Sequence, residues 1–236
     1  MDLTRLTQNG TWRGHLELEG SRMAVDEQAF WGTRDRSWGV RGIGEPDTQP
    51  VPGAERQFYW LWAPLNFDDR VTLFHRNDDG DGRPWNRFAA MLPLGLDGRM
   101  QTFSQPTSAI RLHDATRHAA AARIELGPPT PGTESAAAGF DGASPVAIEL
   151  EPRFEFYMSG IGYGHPQWGH GRNRGELSVG YDYERLADVD RDDPLHLHVQ
   201  AVCDARLELA DGGERRGQGV LEQLLLGRHA PSGLRD

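Results

Sequence analysis

The chain has 236 residues and a formal net charge of −10, and it is 37% hydrophobic and 9% aromatic. This length suffices for one large β domain or two small ones, and the aromatic side chains supply enough apolar surface for a buried core, which excludes a disordered chain. The acidic balance argues against nucleic acid and anionic membranes as partners, because both need a basic face, and the absence of Lys among the 25 basic residues excludes Schiff-base chemistry.

Apolar and polar residues alternate in several short segments of the chain. Alternation with a period of two is typical of half-buried β-strands. It predicts strands at residues 12–18, 58–62, 71–75, 148–158, 177–183, 195–203 and 220–226. Asp-Gly turns at 79–82, 97–98 and 211–213 supply the positive φ angles that hairpins require. Only residues 114–122 have a helical pattern, so we predict an all-β antiparallel barrel or sandwich.

Two blocks rich in Gly and Trp interrupt these strands, at residues 31–39 (WGTRDRSWG) and 162–171 (GYGHPQWGHG). Each block combines tryptophans, glycines and ionisable side chains, so we expect ligand contact or chemistry there. A third segment, residues 127–145, is rich in Pro, Gly, Ser and Ala and has almost no large apolar residue. This composition predicts a flexible loop.

The first block and the residues that follow it resemble a known family. The stretch 34–41 (RDRSWGVR), followed by Phe67-Asp68-Asp69, resembles the second half of the carotenoid 1,2-hydratase (hydroxyneurosporene synthase) and AttH-like group of lipocalin-like proteins. Residues 160–166, 219–223 and 229–233 are similar to a bacterial branch of that group. The resemblance covers most of the chain and implies lipocalin-like β-barrels and hydrophobic ligands such as polyenes or polycyclic lipids. The fold alone does not fix the reaction.

In that group the tryptophan-containing motif opens the second of two barrels. Here only residues 1–30 precede it, so the resemblance implies leading strands at 1–28, as the remnant of a first barrel, and a lipocalin-like barrel domain at 29–236. A barrel with an exposed edge favours pairing, so we expect a homodimer or a partner barrel. The family has a His after the Asp of the motif, where this chain has Arg36, so a role of that imidazole is not implied here.

Four residues are candidates for proton transfer: Asp35, Tyr163, His165 and Glu222. An imidazole titrates near neutral pH, so His165 can deliver or remove a proton, with Tyr163 orienting it. Asp35 lies between two arginines that favour its ionised form, and it either takes part directly or braces the turn. Glu222 alternates with apolar residues and is predicted to point inward, where desolvation raises its pKa and suits it to general-acid work.

Six further residues are candidates for ligand contact: Trp31, Arg34, Trp38, Arg41, Trp168 and His170. The indole rings either stack on a polyene or seal the end of the barrel. The guanidinium groups either hold a ligand carboxylate through two hydrogen bonds or form a solvated rim. The glycines of the second block either let the backbone approach a ligand or form a turn whose aromatic side chains close the barrel mouth.

Four histidines raise a metal-dependent alternative: His165, His170, His196 and His198. The His-x-His pair at 196–198 lies on one face of a predicted strand, as in cupin-like metal enzymes, but the glycine spacing expected around such a pair is absent. We therefore predict no metal and no cofactor. Cys203 lies in the same apolar strand and is expected to be a buried structural thiol.

Together these features predict a protein that binds a hydrophobic terpenoid or lipid-like small molecule, with or without a carboxylate. The expected chemistry is cofactor-independent proton transfer, namely hydration by a hydratase (a lyase), isomerisation or cyclisation. A non-enzymatic carrier shares all these features and stays an alternative, as does a metal-dependent cupin-like enzyme. The sequence has no apolar run of the length of a signal peptide or a membrane span, so a cytoplasmic location is expected.

Overall fold

The computed structural model describes residues 2–40, 57–95, 99–133, 146–159, 165–169, 173–209 and 211–235. The strands are β1 (Asp2–Thr11), β2 (Gly14–Leu18), β3 (Ser21–Val25), β4 (Trp31–Val40), β5 (Phe58–Phe67), β6 (Arg70–Asp78), β7 (Pro84–Pro93), β8 (Gln101–Phe103), β9 (Thr107–Leu112), β10 (Ala119–Glu125), β11 (Ala147–Tyr157), β12 (His198–Glu208) and β13 (Glu214–Leu226). The helices in these ranges are single 3-10 turns at Leu186–Asp188, Pro194–His196 and Ala230–Ser232. None of the described helices has the length or the hydrophobicity of a membrane span.

Nine strands form one antiparallel sheet in the order β8-β7-β6-β5-β13-β12-β11-β10-β9. The two edge strands, β8 and β9, are consecutive in sequence, and the link of residues 104–106 spans at most about 14 Å when extended. The sheet therefore curls until its edges approach each other. Ser104 N donates to Pro128 O and Thr130 N to Thr102 O, both at 2.8 Å, which attaches β8 to the segment after β10. The resulting lipocalin-like half-barrel confirms the predicted all-β antiparallel class.

The inner face of the curled sheet is filled by apolar side chains. Successive residues of a strand point to opposite faces, and Leu61 and Leu65 of β5 are fully buried on the inner one. Leu221 and Leu225 of β13 belong to the same cluster. Cys203 is buried there too, as predicted, and its burial raises the pKa of the thiol to about 12. These side chains fill the inner face of the described sheet, so its outer face carries the residues that are open to solvent.

Strands β5 and β13 lie so close together at Gly217 and Gly219 that no side chain fits at these two positions. A Cβ atom at Gly217 would overlap the backbone oxygen of Asn66, and one at Gly219 would overlap that of Pro64. We expect Gly219→Ala to lower the free energy of unfolding by about 1–3 kcal/mol, because two paired strands must move apart. Urea unfolding measures this loss, with Gly10→Ala as the control, since nothing lies within 4 Å of a Cβ atom there. Equal losses in the two variants would contradict the close approach.

Two further strand pairs precede the barrel. β1 and β4 pair antiparallel along 10 residues each, and β2 and β3 form a hairpin. The side-chain amide of Asn9 on β1 donates to Asn66 Oδ1 on the outer face of β5 at 3.2 Å. The β1–β4 ladder therefore lies against the outside of the barrel. The boundary predicted at residue 28 falls between β3 and β4 and would separate β4 from its partner β1. The division into 1–28 and 29–236 stays a prediction.

Three predicted elements differ from the structure. The helix predicted at 114–122 is wrong, because its Ala-rich second half is the beginning of β10, which pairs with β9 and β11 on its two sides. Residues 177–183 lie in no strand, although their alternation predicts one. The strand predicted at 195–203 begins only at His198, because Pro194 starts a 3-10 turn before it.

The predicted hairpin turns are confirmed where the structure describes them. Gly82 between β6 and β7 and Gly212 between β12 and β13 have φ angles of +83° and +81°. The turn at 97–98 lies outside the described residues. Residues 134–145 of the predicted flexible loop also lie outside the described residues. The described first part of that loop, residues 127–133, is hydrogen-bonded to β8 through Thr130.

Candidate functional site

An open groove of about 720 Å³ lies on the outer side of β11. One wall is β11 itself, where a β-bulge in its ladder with β12 precedes the outward-facing Phe154 and Phe156. The other wall is a segment that we call the strap, residues 177–184. Trp168 also lines the groove and packs against Gly180 of the strap, where a Cβ atom would overlap the indole ring. The groove therefore has aromatic walls contributed by three separate segments.

His165 is held in one tautomer beside this groove. The backbone N–H groups of Gln167 and Trp168 donate to its Nδ1 at 3.1 and 2.9 Å. Nδ1 is therefore the unprotonated nitrogen, and Nε2–H donates to Asp182 Oδ2 of the strap at 2.8 Å. Asp182 is half exposed. In this arrangement Nε2–H orients the Asp182 carboxylate, which can accept a proton from a ligand in the groove.

Two further carboxylates line the groove, and both are hydrogen-bonded. Glu155 Oε2 accepts from Tyr157 Oη at 2.6 Å and from Arg191 Nη2 at 2.9 Å. Glu184 Oε1 lies 3.2 Å from His196 Nε2. Burial raises the pKa of Tyr157, and the Glu155 carboxylate raises it further, so the phenol stays protonated and acts as the donor. All charged side chains among the described residues that line the groove are acidic.

Glu222 lies at the centre of the outer face of the same sheet. Trp60 Nε1 and His198 Nε2 donate to its Oε1 at 2.9 and 3.1 Å, and Gln200 Nε2 donates to its Oε2 at 2.8 Å. Leu221, next to it on β13, belongs to the core, so Glu222 points outward, and the predicted inward orientation is wrong. Three donors from two neighbouring strands therefore surround one carboxylate.

The ionisation of Glu222 also differs from the prediction. Burial raises its pKa, but the hydrogen bonds and the charge interaction with His198, together with the bonds from Gln200 and Trp60, lower it more. The net pKa lies below the ordinary value of 4.5. The expected elevation of the pKa is therefore wrong, and Glu222 is a carboxylate at neutral pH. It can accept hydrogen bonds or a proton, but it is not a general acid there.

One row of opposed residues joins the groove to the Glu222 cluster. Phe156, Gln200, Glu222, Trp62 and His75 lie directly opposite one another along β11, β12, β13, β5 and β6. Since neighbouring strands are about 4.8 Å apart, the backbones at Phe156 and Glu222 are separated by about 10 Å. The groove and the Glu222 carboxylate with its three donors are therefore adjacent parts of one outer surface.

The candidates of the first block lie elsewhere, on the β1–β4 ladder. They are Trp31, Arg34, Asp35 and Trp38. Asp35 Oδ1 is 3.7 Å from Arg5 Nε on the paired strand, and the guanidinium of Arg36 lies 5.4 Å from the centre of the Trp38 ring. None of the four is among the described residues that line the groove. The structure thus brings His165 and Trp168 together at the groove and leaves the first block on a separate ladder.

The sequence comparisons place the chain in a family. The model of a family of unknown function (DUF8625) matches residues 1–235. The chain belongs to this family. Kievitone hydratase from Nectria haematococca is similar to this DUF8625 member in structure, with 14% sequence identity and a TM-score of 0.47. The similarity covers 94% of this chain and 53% of that chain, so the chain spans about half the length of the hydratase. No curated protein matches the DUF8625 member in sequence.

The family match does not extend to the carotenoid 1,2-hydratase group. The matching description is that of DUF8625, so the resemblance of residues 34–41 to the carotenoid hydratases stays a hypothesis. Tyr163, His170 and Arg41 of this DUF8625 member lie outside the described residues, and their roles stay predictions too.

The three described histidines of the metal alternative do not converge. His165, His196 and His198 bond to three different carboxylates, those of Asp182, Glu184 and Glu222. His196 lies in a 3-10 turn and His198 in β12, so they do not share one face of a strand as predicted. No three His, Cys, Asp or Glu side chains in the described ranges are grouped to hold a metal ion. The cupin-like alternative therefore has no support from these residues.

Three residues of the groove, Asp182, Phe154 and Phe156, were not predicted as functional candidates from the sequence. The signal for Asp182 is present in the alternation of residues 177–183, where it is the only charged residue in an otherwise apolar and small segment. The two phenylalanines lie in a predicted strand, but only the bulge before them decides that they point away from the core. A bulge depends on the pairing of two strands and leaves no clear mark in one sequence.

Proposed function

We propose that this protein binds a hydrophobic, uncharged or cationic small molecule in the groove between β11 and the strap. The observation that carries the proposal is a volume of about 720 Å³ with aromatic walls and a few polar groups. Ligand sites in proteins typically occupy about 300–1,000 Å³ and combine apolar walls with a small number of placed polar groups. Terpenoids and lipid-like molecules belong to this class of ligand.

The charge of the groove argues against a carboxylate on the ligand. Such a group would face Glu155, Asp182 and Glu184, and like charges repel at close range. Arg34, predicted to hold a carboxylate, lies on β4 and is not among the described lining residues, and Arg41 is not described. We therefore propose a neutral or cationic ligand in place of a carboxylated one.

The His165–Asp182 pair supports a second candidate function, cofactor-independent proton transfer. Because His165 Nδ1 accepts two backbone hydrogen bonds, the imidazole carries one proton and is poorly suited to protonating an alkene. Glu222 is ionised and lacks a proton to give. Asp182 can instead remove a proton from the ligand, with His165 Nε2–H holding its carboxylate in position. This arrangement favours isomerisation or cyclisation that begins with proton removal over hydration.

Deuterium uptake distinguishes a catalyst from a carrier. In D₂O, reversible removal of a proton by Asp182 labels the bound ligand, and Asp182→Asn abolishes the labelling. A carrier leaves the C–H bonds of its ligand unexchanged. Mass spectrometry of the recovered ligand reads the difference.

Dye binding tests the proposed groove. We expect the protein to bind Nile red, a neutral hydrophobic dye, more tightly than the anionic dye ANS. Phe156→Asp should weaken the binding of Nile red at least about tenfold, because an apolar ligand would then contact a charge. Trp85→Asp is the matched control, since Trp85 is 63% exposed and is not among the described lining residues. A preference for ANS, or equal affinities of Phe156→Asp and the wild type for Nile red, would refute this site.

A further inference from the structure

The strap presents its large apolar side chains to solvent. The four side chains, between 78% and 92% exposed, are Leu177, Val179, Tyr181 and Tyr183. The residues between them contact the barrel side instead, where Gly180 packs on Trp168 and Asp182 bonds to His165. An ordinary surface strand has the reverse arrangement, with its apolar residues towards the core. Val179, Tyr181 and Tyr183 also border the groove, so the exposed apolar side of the strap and the groove form one surface that is open in the single chain.

The apolar surface of the strap continues onto the neighbouring sheet. Phe154 and Phe156 line the same groove, and Val202 lies opposite Phe154 in the β11–β12 ladder. At about 200 Å² for each aromatic side chain, the exposed parts of Phe154, Phe156, Tyr181 and Tyr183 amount to roughly 500 Å². With the aliphatic side chains the patch approaches the roughly 800 Å² per partner that a stable interface buries, and it exceeds the few hundred Å² usual on monomers.

The backbone of the strap is also available for pairing. Among the described residues, no backbone–backbone hydrogen bond involves residues 176–184. The side chains of Asp182 and Glu184 attach the strap to the barrel through His165, Ser159 and His196. Within the described part of the chain, these backbone N–H and C=O groups therefore have no backbone partner and can pair with another strand.

We propose that this patch binds a second copy of the chain, with the two straps paired antiparallel about a twofold axis at Gly180. In this register Leu177 lies opposite the partner's Tyr183, and Val179 lies opposite the partner's Tyr181. Aliphatic–aromatic pairs of this kind stabilise antiparallel strands. A twofold axis uses the same patch on both copies, so the patch must complement itself, and the alternation on either side of Gly180 meets that requirement. The dimer would cover the groove, because most of the patch also lines it, so a groove ligand would compete with dimerisation, but the inference does not require that ligand.

Sedimentation equilibrium of the full chain tests the proposal. We expect a dimer at about 10 µM that tightens as NaCl is raised, because salt screens the repulsion between two chains of net charge −10. Leu177→Asp should raise the dissociation constant of the dimer at least about tenfold. Leu177 is 84% exposed, so this substitution leaves the fold of the single chain intact. A monomer at about 100 µM in high salt, or equal dissociation constants for Leu177→Asp and the wild type, would overturn the proposal.

Two controls separate dimerisation from the ligand site. Trp85→Asp should leave the dissociation constant of the dimer unchanged, since Trp85 is exposed and lies outside the patch. Leu177 is not among the described lining residues, so Leu177→Asp should still bind Nile red. Loss of the dimer with dye binding retained supports the strap interface by itself, and weaker dimerisation of Trp85→Asp would contradict it.

A disulfide test checks the register. Under mild oxidation the double variant Val179→Cys, Tyr181→Cys should form a covalent dimer, because these positions face each other across the axis. Leu177→Cys alone should not, since its two copies would lie about 20 Å apart. Cys203 is buried and does not contribute background cross-linking. Equal cross-linking of the two variants would overturn the antiparallel arrangement.

Discussion

Asp78→Ala is expected to lower the free energy of unfolding by about 3–5 kcal/mol. Asp78 is 1% exposed, and its carboxylate accepts from Arg76 Nε at 2.7 Å and from His229 Nε2 at 3.2 Å. Alanine would leave the guanidinium and the imidazole largely buried without their shared anion. Removing one partner of a buried ionic network is costly for this reason. Urea unfolding at neutral pH measures the loss.

The same carboxylate attaches the C-terminal residues to the barrel. The His229 ring stacks on Tyr59 with centroids 3.8 Å apart, and its Nδ1 lies 2.8 Å from Ser232 Oγ. Hydrogen exchange in Asp78→Ala should therefore rise first in residues 229–235. Asp68→Ala is the control, because Asp68 is an exposed carboxylate in the connection between β5 and β6. A loss as large in Asp68→Ala would show that position 78 has no special role.

The contribution of Asp78 to stability depends on pH in a defined direction. Burial raises the pKa of Asp78, but the hydrogen bonds from His229 and Arg76 lower it more, so that it lies below 3.8. The folded state thus favours the ionised form. The contribution is complete above the pKa of the unfolded chain and is lost as the pH falls through the pKa of the folded state. The difference in stability between the wild type and Asp78→Ala should therefore shrink below pH 3.8.

The fold could be predicted from the sequence where apolar residues alternate and turn residues follow. The predicted segments 58–62, 71–75, 148–158 and 220–226 lie in or almost wholly within strands of the structure, because each buries one face in the core. The alanines of β10 have no such alternation and are good helix formers, so local sequence predicts the wrong element. Pairing with β9 and β11 decides their conformation, and that pairing is a property of distant residues.

The candidate site could be predicted only in part, for a similar reason. His165 and Trp168 share one block, so the sequence itself places them together at the groove. The surroundings of Glu222 come from Trp60, which is 162 residues away in sequence, and from Gln200, which is 22 residues away. An isolated strand containing Glu222 predicts desolvation and a raised pKa, whereas the three donors that lower it appear only once β12, β13 and β5 pair.

Glu222→Ala should lower the free energy of unfolding by about 3 kcal/mol, because three donors around a largely buried carboxylate lose their acceptor. Glu214→Ala is the matched control on the same strand. The Glu214 carboxylate is 40% exposed and pairs with Arg206 and Arg216, and exposed pairs contribute only about 0–1 kcal/mol. Urea unfolding of both variants at pH 7 compares the two carboxylates. Equal losses would show that the hydrogen bonds to Glu222 contribute no more than a surface ion pair.

Glu222→Gln tests the ionisation itself. Since the folded state holds the pKa of Glu222 below 4.5, the carboxylate stabilises the fold fully above that pH, and the contribution is lost as the pH falls through the folded pKa. The wild type should therefore lose more stability than Glu222→Gln as the pH falls from 7. At a pH below the folded pKa of Glu222, the two proteins should have similar free energies of unfolding. If Glu222→Gln is instead as stable as the wild type at pH 7, the charge of the carboxylate contributes nothing to stability, and the lowered pKa of Glu222 is contradicted.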